Sequence, residues 1–299
     1  MKIAIDLQGC QNLNNRKRGI GRYSYSLIKA LIKEYKNDHF ILVANANLPD
    51  IENDFEKELS DKDLRVDYLR WYYPSFKSLD SSSNNFSRLV GTYLYNYTFS
   101  NICADVILIT SFFDGFEDNS IIQFDNAFKL PLIVSIFYDI IPFLKPDLYL
   151  ETNQNYKTFY LKRIKELKFL DLFLAISESS AFELENALDI KKDRIVNISS
   201  GCNNIFTNCT VQVEKSDQYI DNIGKYILYA GAADARKNLK RLIKAYSLLA
   251  TEIKENYKLV LVGKFSTAEN RTLNHYIRSL KLPLDSIIFK GYISDKELI

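Results

Sequence analysis

Histidine and cysteine are scarce in this 299-residue chain, and their scarcity removes several chemistries at once. His39 and His275 are the only imidazoles, too little material for a histidine-rich metal site or a Ser-His-Asp hydrolase constellation. Cys10, Cys103, Cys202 and Cys209 are scattered without a CxxC pair, so they read as reduced cytosolic thiols and not as a zinc site or a disulfide framework. Long apolar runs are missing too. The longest, LPLIVSIFYDIIPFL at 130–144, holds Asp139 and two prolines and falls short of the ~20 residues that span a bilayer. The opening MKIAIDLQG is too briefly apolar, and too early in its acid, for a signal peptide. A net charge of +2 gives no electrostatic case for nucleic acid.

What is present is a packed, soluble composition: 47% hydrophobic and 25% charged, at a length that suits two domains. Short apolar runs alternate with amphipathic stretches. KIAID (2–6), FILVA (40–44), DVILIT (105–110), LIVSIF (132–137), LFLAI (172–176) and RIVNIS (194–199) read as strands buried on both faces, as in parallel sheets. YILYA (226–230), KLVLVG (258–263) and SIIFKG (286–291) continue the series. Between them, Leu27, Ile28, Leu31, Ile32 and Tyr35 repeat at helical spacing, as do Leu239, Leu242, Ile243, Tyr246 and Leu249. Strand–helix–strand order predicts a doubly wound α/β architecture.

The order breaks once, at the polar segment 207–224, which predicts a linker between a first unit at 1–206 and a second at 225–299. The aromatic, serine-dotted region 71–103 reads as a helical excursion from the first unit. The second unit has room for about three strands where a complete doubly wound unit commonly has five or six, so it is expected to be incomplete, with a hydrophobic sheet edge at Ser286–Gly291.

Several stretches can carry chemistry, each beside a plainer reading. In RKRGIGRYSYSL (16–27), Gly19 and Gly21 would let a loop approach an anion before a helix N-terminus, or simply serve a flexible turn. Asp139, at the carboxyl end of LIVSIF, would orient or deprotonate an acceptor hydroxyl, or act as a turn aspartate. Ser177 ends another strand, with Ser179 or Ser180 expected to cap the helix that follows. In ILYAGAADARKN (227–238), a strand ends at Gly231 and hands over to Arg236 and Lys237, with Asn238 expected to cap the next helix. Two cations at the positive end of a helix are unfavourable without an anion nearby, so the stretch reads as an anion site that would suit a diphosphate, as an ordinary solvated turn, or as the outer face of a packed loop. The helix at 155–170 carries Lys157, Lys162, Arg163, Lys165 and Lys168, a face that is either solvated or set against anionic lipid headgroups.

In order, IDLQGCQNLNNRKRGIGRYSYSLIKAL, FYDIIPFLKPDLY, AISESSAFELENAL, ILYAGAADARKNLKRLIKAYSLL, LVLVGK and IIFKGYISDKELI resemble glycosyltransferase family 4, the retaining enzymes of GT-B fold. The likeness is greatest to bacterial mannosyltransferases that build surface polysaccharides, and it runs from residue 3 to the last. It implies two Rossmann-like domains, an N-terminal acceptor domain and a C-terminal nucleotide-sugar domain. Gly19 and Gly21 would lie near the transferred sugar and donor phosphate, Asp139 on the acceptor side and Ser177 on the cleft wall. Lys237, assisted by Arg236, would sit on the donor diphosphate beside Gly231. The resemblance implies no metal and no cofactor. It implies a nucleotide-sugar donor, with GDP-mannose foremost, and a glycan or lipid-linked acceptor at the inner membrane face of the cytoplasm. Retention would follow same-face attack, so no protein nucleophile is required.

Three departures accompany it. Tyr138 stands where many relatives have histidine, and Ala232 where many have arginine. No glutamate is followed by another eight places later, the pair that binds donor sugar and ribose in the family. A non-catalytic fragment or subunit that binds acceptor or a partner chain therefore stands as the alternative. A nucleotide-binding oxidoreductase is disfavoured, because no tight GxGxxG follows a strand.

Overall fold

Parallel strands need crossovers, and the computed structural model supplies them with helices on both faces of the sheet. It describes residues 1–13, 16, 19–74, 81–202, 206, 223–232 and 234–299. The chain divides into two units, Met1–Asn203 and Asn204–Ile299. The 207–222 part of the expected linker lies outside the described residues.

The first unit is built on β1 (Lys2–Asp6), β2 (His39–Asn45), β3 (Arg65–Trp71), β4 (Val106–Ile109), β5 (Leu132–Phe137), β6 (Leu172–Ala175) and β7 (Ile195–Asn197). They form one sheet in the order β3-β2-β1-β4-β5-β6-β7, every neighbouring pair parallel. Period-two alternation splits the core between the two faces. Ala4, Ile41, Val43, Ile107 and Ile109 pack with Tyr95 and Phe99 of α4 (Ser81–Asn101). Ile3, Ile5, Phe40, Leu42 and Leu108 pack with Ile28 and Ile32 of α2 (Gly19–Glu34) and Phe55 of α3 (Glu52–Glu58). Each such fully buried side chain contributes about 1.5–3 kcal/mol over leaving it in water. The strand order reverses between β1 and β4, whose register pairs Ile3 with Val106 and Asp6 with Ile109. Short α1 (Gln8–Gln11) follows β1; α5 (Ile141–Leu144), α6 (Pro146–Tyr149), α7 (Gln154–Glu166) and α8 (Glu178–Leu188) complete this unit's helices among the described residues.

Two features of this unit depart from the sequence reading. β3 was not expected: it is an edge strand in which the exposed Arg65, Asp67 and Arg70 interrupt part-buried residues and only Trp71 is buried, so its apolar character is broken. The region from 71 is accordingly not helical throughout, since Trp71 closes β3 and the helix begins at Ser81.

The second unit has β8 (Lys225–Ala230), β9 (Tyr257–Val262) and β10 (Ile287–Gly291) in a parallel sheet ordered β10-β9-β8. One face is covered by Leu239, Ile243 and Tyr246 of α9 (Leu239–Ser247) and Leu273 and Ile277 of α11 (Thr267–Ser279). The turn α10 (Thr251–Asn256) precedes β9, and α12 (Asp295–Leu298) follows β10. On the opposite face, Tyr226 and Leu228 are more than two-fifths exposed. β10 is an edge strand among the described residues, and most of it is only half-buried. At the carboxyl edge, Gly263 has φ +148°, and a Cβ there would lie 1.9 Å from the Gly231 carbonyl oxygen. Only glycine lets the ends of β8 and β9 approach so closely. Among the described residues, no helix is long and apolar enough to cross a membrane.

Candidate functional site

Open α/β sheets receive ligands beyond the carboxyl ends of their strands, so the loops at those ends are where site residues must lie. In the first unit, one residue ties three of these ends together. Tyr138, directly after β5, exchanges a hydrogen bond of 2.7 Å with Ser24 Oγ and donates to the Ile20 carbonyl at 3.4 Å. Both partners lie in the opening turns of α2. Its backbone carbonyl accepts from Ser180 Oγ at 2.5 Å, which fixes the start of α8. Burial pushes the Tyr138 hydroxyl well above the usual phenol range, so it stays protonated and acts as a tether. The residue that departs from the family pattern thus has a structural role here.

Asp139 is half-buried beside it, and its Oδ1 accepts from Ile141 N at 3.1 Å, an Asx turn that opens α5. Ser177 is the N-cap of α8 and accepts from Ser180 N at 3.1 Å. The cap is therefore Ser177, and neither Ser179 nor Ser180 as expected: Ser177 is the last residue with extended backbone, and only its hydroxyl can reach back over the first turn. Gly19 and Gly21 stand in the first turn of α2 instead of in a loop; Gly19 is exposed with open space where a Cβ would be, and Gly21 is buried. The structure thus gathers Asp139, Ser177 and the α2 opening turn at one edge of one sheet.

At the reversal between β1 and β4 lies a buried polar network that the sequence reading missed. The Asp6 carboxylate accepts from Gln8 N at 2.9 Å, Gln8 Nε2 at 3.0 Å and the Tyr95 hydroxyl at 2.8 Å. Burial outweighs these bonds and raises its pKa to about 6. Asn45 Nδ2 donates to Gln8 Oε1 at 2.9 Å, and Gln11 Nε2 donates to the Asn45 carbonyl at 3.0 Å. Only the acid in MKIAID hinted at it, a carboxylate closing an otherwise apolar strand.

Gly231, Arg236 and Lys237 belong to the second unit. Gly231 directly follows β8, and its N–H donates to the Val262 carbonyl at 2.8 Å. Ala235–Lys237 form a 3₁₀ turn in which Lys237 N donates to the Asp234 carbonyl at 2.9 Å. Arg236 is held by Asp234: Nε lies 3.1 and 3.2 Å from the two carboxylate oxygens, and a terminal nitrogen 2.9 Å from one of them. That bond is the main reason the Asp234 carboxyl is held below its ordinary range. Lys237 is exposed. Asn238 precedes α9 but makes no side-chain cap bond, because its backbone is left-handed (φ 53°) and turns the amide away from the helix. A cavity of about 450 Å³ borders Asp234, Asn238, Lys240, Glu269 and Thr272, where the openings of α9 and α11 converge. The α11 opening is closed by a capping box between Ser266 and Glu269.

The basic face of α7 is less exposed than its composition suggests. Arg163 is buried, donates to the Phe112 carbonyl at 3.1 Å through Nε and pairs with Glu166, while Lys157 pairs with Glu151 at 2.7 Å.

Residues 212–299 match the family described as glycosyl transferases group 1. The chain carries a group 1 glycosyltransferase domain. Across 308 residues it is 28% identical to the serotype-specific mannosyltransferase WbdA of Escherichia coli, an alignment that takes in 100% of this chain and 36% of that protein. It therefore spans about a third of the length of this relative. The O-antigen chain mannosyltransferase B of Escherichia coli is 23% identical over 301 residues, covering 94% of this chain and 69% of the relative. Among solved structures, Anabaena Alr3699/HepE in complex with UDP-glucose matches with a TM-score of 0.63 at 15% identity, over 100% of this chain and 71% of that one. At such identity the structural match establishes the fold, the α/β GT-B class that the sequence predicts.

Proposed function

We propose that the chain is the catalytic part of a hexosyltransferase that moves mannose from a nucleotide-sugar donor to a glycan or lipid-linked acceptor in surface-polysaccharide assembly, with retention of configuration. The observation that carries this reading is the alignment of the whole chain with a serotype-specific mannosyltransferase. The second unit is the donor domain. The turn that carries Lys237 immediately precedes α9, whose opening borders the cavity and whose N-terminal dipole favours an anion. Lys237 offsets charge on the departing nucleoside diphosphate. Arg236, held by Asp234, shapes the turn and contributes less directly. The donor is a substrate, GDP-mannose foremost, and neither metal nor cofactor takes part.

The first unit binds the acceptor. Asp139 orients the attacking hydroxyl, Ser177 lines the edge through the α8 opening, and the α2 turn with Gly19 and Gly21 leaves room for the transferred sugar. Retention follows attack on the face that the diphosphate leaves, with the leaving phosphate taking the proton. Peripheral contact with the inner membrane face rests on the three exposed lysines of the α7 region, Lys162, Lys165 and Lys168. Incubating the chain with GDP-mannose or UDP-glucose and a mannose-terminated acceptor, with product anomers read by NMR, tests the reading. An α-linked product from the α-configured donor supports it; donor binding without transfer, in this chain and in one extended to the length of its relatives, refutes it.

A further inference from the structure

A cavity of about 340 Å³ opens where the sheet of the first unit reverses direction, and no residue assigned above lines it. Its walls include Asn12, beyond α1, the loop residues Phe116, Glu117 and Asp118 that follow β4, and Asn153 and Tyr156 at the opening of α7. We propose that this cavity is an acceptor subsite that holds one neutral pyranose ring of the acceptor glycan, stacked on Phe116 and Tyr156. The proposal rests on the glycosyltransferase reading and deepens it.

Place is the first argument: β1 and β4 flank the reversal, the crevice in which open α/β sheets hold ligands. Size is the second, since the volume falls in the ~300–1,000 Å³ range of small-molecule sites. Charge decides the ligand class. Asp114, Glu117 and Asp118 line the cavity and, among the described residues, no lysine or arginine does, so this lining disfavours a phosphate or carboxylate. Among the described residues, no group of three or more His, Cys, Asp or Glu is arranged to hold a metal ion. A ligand rich in hydroxyls and free of charge satisfies what remains. Carboxylates accept from sugar hydroxyls, and the amides of Asn12 and Asn153, beyond their bonds to Asp118 and to Tyr156 N, keep further capacity to donate and accept.

The aromatic rings supply the complementary surface. Phe116 meets Tyr156 at a centroid distance of 5.0 Å and Phe159 at 5.5 Å, and Tyr156 meets Tyr160 at 5.8 Å. Phe116 and Tyr156 meet edge to face, and the contacts to Phe159 and Tyr160 are tilted, so the cluster fixes the rings' orientation; a ring face left open in it attracts the polarised C–H bonds along one side of a pyranose. The loop is also pinned before any ligand arrives. Gly115 has φ +104°, and a Cβ there would lie 2.5 Å from the Ser120 carbonyl oxygen, so this turn requires glycine. Arg88 donates to the Gly115 carbonyl. Asp118 accepts from Ser120 N at 2.7 Å and from Asn12 Nδ2. A site ordered in advance loses little entropy when it binds.

The test is saturation-transfer NMR and titration of the 299-residue chain with methyl α-mannopyranoside, a linear mannose trisaccharide and glucuronic acid, beside GDP and UDP. The neutral sugars should bind. Phe116→Ala and Tyr156→Ala should weaken them at least about tenfold, and Glu117→Gln about threefold, as losses of one stacking face and one charged acceptor. Glucuronic acid should bind at least about tenfold more weakly than the neutral sugars. Nucleotide affinity should be unchanged in all three variants. Circular dichroism melts show whether the aromatic variants remain folded; if either unfolds, Glu117→Gln, at an exposed position, decides. Nucleotide binding without any neutral-sugar binding, or sugar binding indifferent to these substitutions, overturns the subsite and leaves the glycosyltransferase reading standing. Sugar binding at the cavity without nucleotide binding does the reverse. A preference for glucuronic acid also overturns it.

Discussion

Replacing Lys237 with alanine is the most direct trial of the donor assignment. Its backbone is fixed by the 3₁₀ turn, whereas its side chain is exposed. A phosphoryl oxygen about 4 Å from the ammonium gains about 4 kcal/mol at an effective dielectric near 20, and about 1 kcal/mol in bulk water. A bound diphosphate displaces part of the water around an exposed lysine, so the loss lies between those bounds, and about 10²-fold in kcat is expected. The loss should fall on kcat more than on KM for the donor, because charge on the leaving group is largest in the transition state. Lys237→Arg should recover part of the rate. Arg236→Ala should cost less, since Asp234 already engages that guanidinium through three contacts within 3.2 Å. Initial rates over a donor series at low and high ionic strength provide the readout. If Lys237→Ala stays within about threefold of the parent, with the same salt dependence, no phosphate rests on this side chain and the role falls.

Three further outcomes follow from the geometry. Asp6 has its folded pKa raised from 3.8 to about 6, so its contribution to stability is full below pH 4 and is lost as pH rises through 6. That loss is about 3 kcal/mol, and Asp6→Asn should flatten this part of the urea-unfolding profile between pH 4 and 7. Tyr138→Phe removes the bond to Ser24 and should cost about 1 kcal/mol of stability in chemical denaturation while leaving donor affinity unchanged. Gly263→Ala should destabilise the second unit by at least about 2 kcal/mol, read as an earlier thermal transition, because its Cβ would meet the Gly231 carbonyl.

The strands that could be read from sequence were those with continuous apolar character, for which local composition and burial on both faces agree. β3 escaped because an edge strand presents Arg65, Asp67 and Arg70 to solvent and so looks like a surface segment. Capping was readable in kind but not in detail. Ser177 and Ser180 are equally suited by residue type, and only the extended backbone of Ser177 decides between them. At Asn238 the same residue type sits in a left-handed conformation that no local signal marks. The cavity beside β4 was invisible because it joins residues 12, 116 and 156, far apart in the chain and brought together only by the strand order. Tyr138 shows the converse: the sequence marked it as a departure, while its tethering role depends on Ser24, more than a hundred residues away.

The two carboxyl edges differ in charge in a way that bears on which ligand each receives. Beyond β4 and β5 of the first sheet the loops present Asp114, Glu117, Asp118 and Asp139, amides and aromatic rings. At the second, Lys237 follows β8 and Lys264 follows β9, both exposed, at the edge where two helices begin. A nucleoside diphosphate placed beside these acidic loops would face carboxylates at close range, which costs several kcal/mol. A neutral glycan at the second would leave the lysines unanswered. Exchanging the sign at one edge should therefore move only one ligand: Lys237→Glu with Lys264→Glu should abolish GDP and UDP binding while sugar binding to the first unit persists. Equal loss of both ligands in that variant, with an unchanged melting transition, would show that the two edges do not divide donor from acceptor.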